Sequence, residues 1–438
     1  MAVYSKPYMN SADLIESVKR KISFPVSQQT FSDKDILAFA NEEMFIAQVP
    51  AVLEFHEEYF VFVQQVPIMQ GQNRYPMPTR AIGMKLRDVK WEDTNGNIFD
   101  MARVNPEEKA FYQVNIGTSE TISKYYIEGN DLVILPALTV TNALTLFFYY
   151  FLRPNQLVDI ARAATIQSFV NQITTLAANI SPNDTVTIAG QVFTAVSGVP
   201  SANQFQIGTD IQTATNLAAA INLNGVAIAN NGSPSTSLVT LNFTTITNSQ
   251  LVTTSNPAGF IIPSNTQMIQ FDQVPSSYQD PITFKISPLF VPGATVDFLQ
   301  TNPGHKTYTI DASIIGVSGT IMSFSKTSLY SPLPGVPFAY HPATIPVMVG
   351  DYVCLSNEAI IPQIPPDLHN SLAQRTATMI LAALGDQAGL QASMAKVQEM
   401  EKKQISLLDA RVEGSPLKIA PKHSLLRYQG MGSRRRRL

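Results

Sequence analysis

The chain has 438 residues, a hydrophobic content of 45% and a formal net charge of −3 at pH 7. That length allows roughly two or three domains with real cores, and the near-neutral balance gives no global pull toward nucleic acid or membrane. The single cysteine, Cys354, excludes an intramolecular disulfide or a cysteine-based metal cluster, and no basic-then-apolar signal peptide or run of about eighteen apolar residues is present.

Charged residues are only 14% of the chain, against about a quarter in ordinary domains, so Asn, Gln, Ser and Thr carry much of the polarity. Ser11 reads as the cap of a first helix with Leu14, Ile15, Val18 and Ile22 as its apolar stripe, stopped by Phe24-Pro25. Ser32 to Asp35 reads as a capping box opening a second helix on Ile36, Leu37, Phe39, Ala40, Met44 and Ala47. Pro50 either kinks that helix or starts a third, which carries Val52, Leu53, Phe55 and Tyr59. Strand signals follow at Tyr59 to Val66, Lys85 to Trp91, Tyr125 to Glu128, Asp131 to Leu135 and Leu144 to Phe151. Asn95-Gly96 and Gly129-Asn130 mark hairpin turns.

Lys and Arg are absent from Ala163 through Phe284. In that stretch Val186 to Ile188 and Val192 to Val196 flank a turn at Gly190, Ile211 to Asn222 is a helix, and Leu238 to Phe243 and Phe260 to Ile262 are strands. Residues 270–360 return to short strands among prolines. Pro365-Pro366-Asp367 then opens a helix on Leu368, Leu372, Met379, Ile380 and Ala383. After Gly385 and Gly389 a second helix carries Leu390, Met394, Val397, Ile405 and Leu408, and the short connection makes the two an antiparallel pair.

The expected class is α+β, with a helical bundle built from the two ends of the chain and a long β-rich insertion between them. The segments 1–59 and 363–413 form the helical body, 60–160 and 266–362 an antiparallel β-domain, 163–265 an inserted small α/β module, and 414–438 an extended basic tail.

No catalytic constellation emerges. His56-Glu57-Glu58 lacks a ligand three or four residues away, and His305, His341, His369 and His423 are scattered, so neither zinc nor a catalytic dyad is expected. Cys354 lies in an apolar strand as an inert thiol. Asp184 and Asp210 flank turns and read as turn-shaping residues rather than calcium ligands. Arg80, Lys85, Arg87, Lys90 and Arg103 read as the wet face of a sheet. The sharpest feature is the tail: Lys418, Lys422, Arg427, Tyr428, Arg434, Arg435, Arg436 and Arg437 are placed to meet acidic patches of a partner, or else phosphates.

Taken together, Asp13-Leu14-Ile15, Ser23-Phe24-Pro25, Phe31-Ser32-x-x-Asp35-Ile36-Leu37, Val49-Pro50 and Glu57-Glu58-Tyr59-Phe60 resemble the start of tailed-phage head-to-tail adaptor proteins. The segments Tyr75 to Val89, Ile364 to Leu368 and Arg411 to Pro416 extend the likeness over roughly 10–155 and 350–420. The module at 163–265 departs from a minimal adaptor. The resemblance implies a virion protein of the neck, assembled in the host cytoplasm, without enzymatic activity, cofactor, metal or membrane contact. It implies a self-assembled cyclic ring, usually of twelve copies, docked under the portal protein and receiving the tail or a further connector, with double-stranded DNA passing through. Leu14, Ile36, Leu37, Leu368, Leu372, Met379, Leu390, Met394 and Val397 would then build the ring body. The alternative is an anchor for fibres or decorations whose inserted module grips another virion component or a host glycan.

Overall fold

The computed structural model describes residues 8–22, 31–55, 57–108, 124–135, 144–231, 236–263, 265–301, 307–325 and 347–408. The fold is α+β, with many strands and few helices. The α-helices are α1 (Ser11–Ile22), α2 (Asp33–Glu43), α3 (Val49–Phe55), α4 (Asp210–Asn224), α5 (Ile246–Gln250), α6 (His369–Leu384) and α7 (Gln387–Leu408).

The cap of α1 is Asn10, not Ser11. Its Oδ1 accepts from the Asp13 N–H at 2.8 Å, while its own N–H donates to Asp13 Oδ2 at 3.2 Å. The Ser11 N–H instead donates to the Ile360 carbonyl, joining the two ends of the chain. The box at Ser32 and Asp35 is formed as expected. Pro50 sits in the first turn of the third helix, α3, one of the two placements expected, and the preceding Met44–Gln48 widens into a π-turn in which the Val49 N–H reaches the Met44 carbonyl. In a regular helix the Pro50 ring would collide with the carbonyl four residues back, and the wider turn makes room for it. The stretch Asp33–Phe55 also has the length and hydropathy of a membrane span, which a search for consecutive apolar residues does not register. Its Ile36, Leu37, Ala40, Met44, Val49 and Val52 are buried in a core shared with α1 and α6. α6 lies against α1, α2 and α7.

Strands β1 (Val61–Ile68), β2 (Arg74–Pro76), β3 (Ala81–Glu92), β4 (Ile98–Asp100), β5 (Ala102–Arg103), β6 (Lys124–Glu128), β7 (Asp131–Leu135) and β8 (Leu144–Leu152) form two four-stranded sheets, ordered β1-β8-β3-β4 and β2-β7-β6-β5. Phe62, Tyr75, Trp91, Leu132, Ile134 and Phe148 share the core of this sandwich. Gly129-Asn130 is the two-residue turn between β6 and β7, with Gly129 at φ +63°. Asn95-Gly96 lies in the turn of the β3–β4 hairpin, as expected, within a loop of five residues, 93–97, between the paired Glu92 and Ile98. The Asp93 carboxylate accepts from the N–H groups of Asn95 and Asn97 at 2.8 Å each and shapes that loop.

After β9 (Gln156–Leu157) comes β10 (Ala164–Thr175), followed by β11 (Thr185–Ile188), β12 (Gln191–Val196), β13 (Gln204–Gln206), β14 (Ile228–Asn231), β15 (Leu238–Phe243), β16 (Val252–Thr254) and β17 (Phe260–Ile261). The β11–β12 hairpin and α4 match expectation, α4 being closed by Thr209 and Gln212 at one end and left-handed Gly225 at the other. Asp184 accepts from Ser181 N–H and Asn256 Nδ2 at 2.7 Å each, and Asp210 from Ala177 N–H at 2.6 Å, so both shape turns.

The remaining strands are β18 (Thr266–Phe271), β19 (Ser277–Gln279), β20 (Ile286–Pro288), β21 (Thr295–Leu299), β22 (Thr307–Ser318), β23 (Ile321–Ser325), β24 (Tyr352–Leu355) and β25 (Glu358–Ala359). Six strands close an antiparallel barrel in the order β10-β18-β23-β22-β21-β24 and back to β10. Register shifts in β10, β21 and β22 supply the bends that closure needs. The expected division of the β-region does not follow this pairing. The first half of β10 belongs to the barrel, while its second half, Phe169 to Thr174, pairs with β15 of the module. One continuous core holds barrel and module together. The segments 60–160 and 266–362 form a sandwich and a barrel, not one β-domain.

Candidate functional site: interaction surfaces

The residues expected to build a ring body separate into two groups. Leu14, Ile36, Leu37, Leu368 and Leu372 are buried within the chain itself and are not free to meet a neighbour. Met379, Leu390 and Val397 are half-buried and Met394 is exposed. All four lie on α6 and α7, whose outer face remains open. The tail residues Lys418, Lys422, Arg427, Tyr428 and Arg434 to Arg437 lie outside the described residues, as do His56, His305, His341 and His423.

Polar contacts hold much of α7 on α6. Gln374 Nε2 donates to Ser393 Oγ at 2.7 Å, and the Thr378 hydroxyl lies 2.7 Å from the same oxygen. Arg375 pairs with Glu43 of α2 at 2.6 Å and with Glu401 of α7. Like charge opposes the packing on the α1 side, where burial and then the nearby Lys396 ammonium push Lys21 below its ordinary range. Beside these contacts opens a recess of about 260 Å³ whose lining includes Met379, Met394 and Val397 together with Glu43, Arg375 and Glu401. Ile46, one turn beyond Glu43, is 69% exposed.

A second surface is the β19–β20 hairpin. Its loop is tightly built: the Asp280 carboxylate accepts from the N–H groups of Ile282 at 2.9 Å and Thr283 at 3.0 Å, and the Phe284 N–H donates to the Asp280 carbonyl at 2.9 Å. Lys34 of α2 binds the same carboxylate, and Arg162 lies 5.0 Å from the Tyr278 ring centroid. The Lys34 ammonium, followed by these backbone N–H groups, holds the Asp280 carboxyl well below its ordinary range. Phe284 sits at φ +54°, a left-handed conformation costly for a bulky side chain. The residue is nevertheless 71% exposed, alongside Ile286 at 69%.

The third feature joins sandwich to barrel. Arg80, at the start of β3, donates through Nη1 to Asp297 Oδ1 at 3.0 Å and through Nη2 to Oδ2 at 2.7 Å. Asn155 Nδ2 (2.7 Å), Asp311 N–H (3.0 Å) and Asn357 N–H (3.1 Å) complete a set of five donors on this fully buried carboxylate. Burial works against the Arg80 charge, but Asp297 outweighs it and the guanidinium titrates above its ordinary value. Reading Arg80 as one of a row of wet-face cations missed this joint, because its partner lies 217 positions away. Lys90 and Arg87, read as wet-face residues, form surface ion pairs with Asp100 and Glu58.

Among the described residues no His, Cys, Asp or Glu cluster could hold a metal ion. His369 is buried: its Nδ1 accepts from the Met9 N–H at 3.1 Å, and its Nε2 faces the Pro362 and Ile364 carbonyls at 3.1 and 3.2 Å. It pins the N-terminal segment to the start of α6. Cys354 is fully buried, and burial first of all raises its thiol well above the ordinary value. No protein-family model matches the chain, and no curated protein matches it.

Proposed function

We propose that this chain is a structural connector of a tailed-phage particle. In this reading copies of it form a ring beneath the portal, extend the DNA channel and join the head to the tail. The helices from the two ends of the chain form a bundle that is the ring body, and the basic tail reaches for the portal. The observation that carries this reading is the helical module itself. Residues from both ends close one core, yet α7 presents 22 residues, and among those with described side chains only Ser393 is buried. A long helix left open beside a Met-rich recess is a surface for another protein, whereas the polar clusters described above are all consumed by structural contacts. The virion location and a twelve-fold copy number follow from the resemblance alone.

Electron microscopy of the purified protein, alone and mixed with the portal protein of the same phage, tests the proposal. Closed rings stacked on the portal are expected, and truncation after Gly414 should weaken portal capture without changing the circular dichroism spectrum. Absence of rings in both settings would refute it.

A further inference from the structure

The strained, exposed Phe284 and the unfilled α6–α7 recess complement each other. Steric strain survives in a fold only where surrounding contacts impose it, and such outliers cluster at functional sites. Here the Asp280 carboxylate and the Phe284 N–H bond to the Asp280 carbonyl impose it, and the product is an aromatic residue displayed to water. The recess is of matching size. At about 260 Å³ it falls short of the roughly 300–1,000 Å³ of small-molecule pockets, but an apolar cavity of about 150 Å³ already takes a benzene ring. The methionines in its lining, Met379 and Met394, adapt readily to an aromatic guest. Charge matches too: of the lining residues, Glu43 and Glu401 share one cation, Arg375, leaving the lining net negative. Lys285, next to Phe284, is exposed and has no carboxylate partner among the described residues.

One chain cannot satisfy both halves. Its hairpin is tied at Lys34, near the start of α2, whereas the recess is at Glu43, about 14 Å further along the helix at 1.5 Å per residue.

We infer that the β19–β20 hairpin of one copy inserts Phe284 into the α6–α7 recess of the next copy, with Lys285 beside the Glu43 and Glu401 carboxylates. The contact is heterologous, so repetition gives a closed ring or an open filament. The inference rests on the self-assembling reading above and gives it a specific joint.

Sedimentation velocity over a concentration series with the full chain tests it. Phe284→Gly should raise the concentration for half-assembly by about tenfold or more, as expected of an interface anchor. It should leave the monomer's melting temperature unchanged or higher, because glycine relieves the φ strain. A merely structural Phe284 would give the opposite pair of results. Met394→Glu should weaken assembly in the same direction. A Phe284→Cys chain mixed with a Met394→Cys chain should yield disulfide-linked dimers, with the native thiol of Cys354 too buried to interfere. Wild-type assembly together with unchanged Phe284→Gly assembly and no cross-link would overturn the inference and leave the connector reading standing. So would a chain monomeric alone that still forms rings on the portal. Rings in neither setting would overturn both.

Discussion

Replacing Asp297 by Asn should be among the most damaging conservative changes available to this chain. The side-chain shape is kept, but the charge opposite Arg80 is lost and an NH₂ group is set among donors. Three of the five donors, Arg80 Nη2, Asn155 Nδ2 and Asn357 N–H, meet at Oδ2. If the new amide places its nitrogen there, all three lose an acceptor; if it flips, Asp311 N–H and Arg80 Nη1 do. A buried ion pair broken on one side costs about 3–5 kcal/mol, a large share of the roughly 5–15 kcal/mol that holds a typical fold. Arg80→Met should cost less. The carboxylate would keep three of its five donors, Asn155 Nδ2 and the backbone N–H groups of Asp311 and Asn357. The loss is then about 1.5–3 kcal/mol, that of hydrogen bonds to a charged group. Urea unfolding followed by the fluorescence of Trp91, the chain's single tryptophan, and by circular dichroism measures both. Arg80→Met costing as much as Asp297→Asn, or Asp297→Asn costing under about 1 kcal/mol, would refute the view of Asp297 as the centre of the joint.

Three further outcomes are expected. Cys354 should resist alkylation in the folded chain and react fully in denaturant, and rapid stoichiometric labelling of the native protein would contradict its burial. The Asp280 carboxyl is depressed on folding, so its contribution is complete above its unfolded value of about 3.9 and is lost as the pH falls toward the folded one. The amide shifts of Ile282 and Thr283 should therefore hold from about pH 6 to 5 and move only below about pH 4; a transition near neutrality would exclude this carboxylate as the anchor. Excising residues 163–265 should unfold the barrel, whereas joining Thr175 to Phe260, which are cross-strand partners, by a short turn should preserve it. Equal circular dichroism and melting of the two deletions would show that β10 is dispensable.

Local chemistry made much of the fold legible in the sequence. The Ser32 box, the Gly129-Asn130 turn, the β11–β12 hairpin and the apolar stripes of α1, α2 and α4 each depend on residues within a few positions of one another. What was not legible is long-range. β10 escaped because its bulge between Ile166 and Ser168 breaks the alternation that marks a strand, and because its partners, β15, β18 and β24, are spread over the rest of the chain. Periodicity found helices but could not say which apolar faces another part of the same chain would cover, so the proposed ring-body residues mixed core leucines with the open side of α6 and α7. Phe284 gave no signal at all, since a positive φ at phenylalanine contradicts its residue preference.

The shared strand β10 also constrains how such a chain can change. Side chains alternate along a strand, so inserting or deleting one residue between its barrel-facing and module-facing halves would put the two halves out of phase with each other. Loops of the module can lengthen, shorten or be exchanged freely, but the twelve-residue strand beneath them admits no such drift. It behaves as a fixed socket: the module is seated on the barrel through a shared strand and a shared core, and a new module is accepted only with a strand of the same pleat.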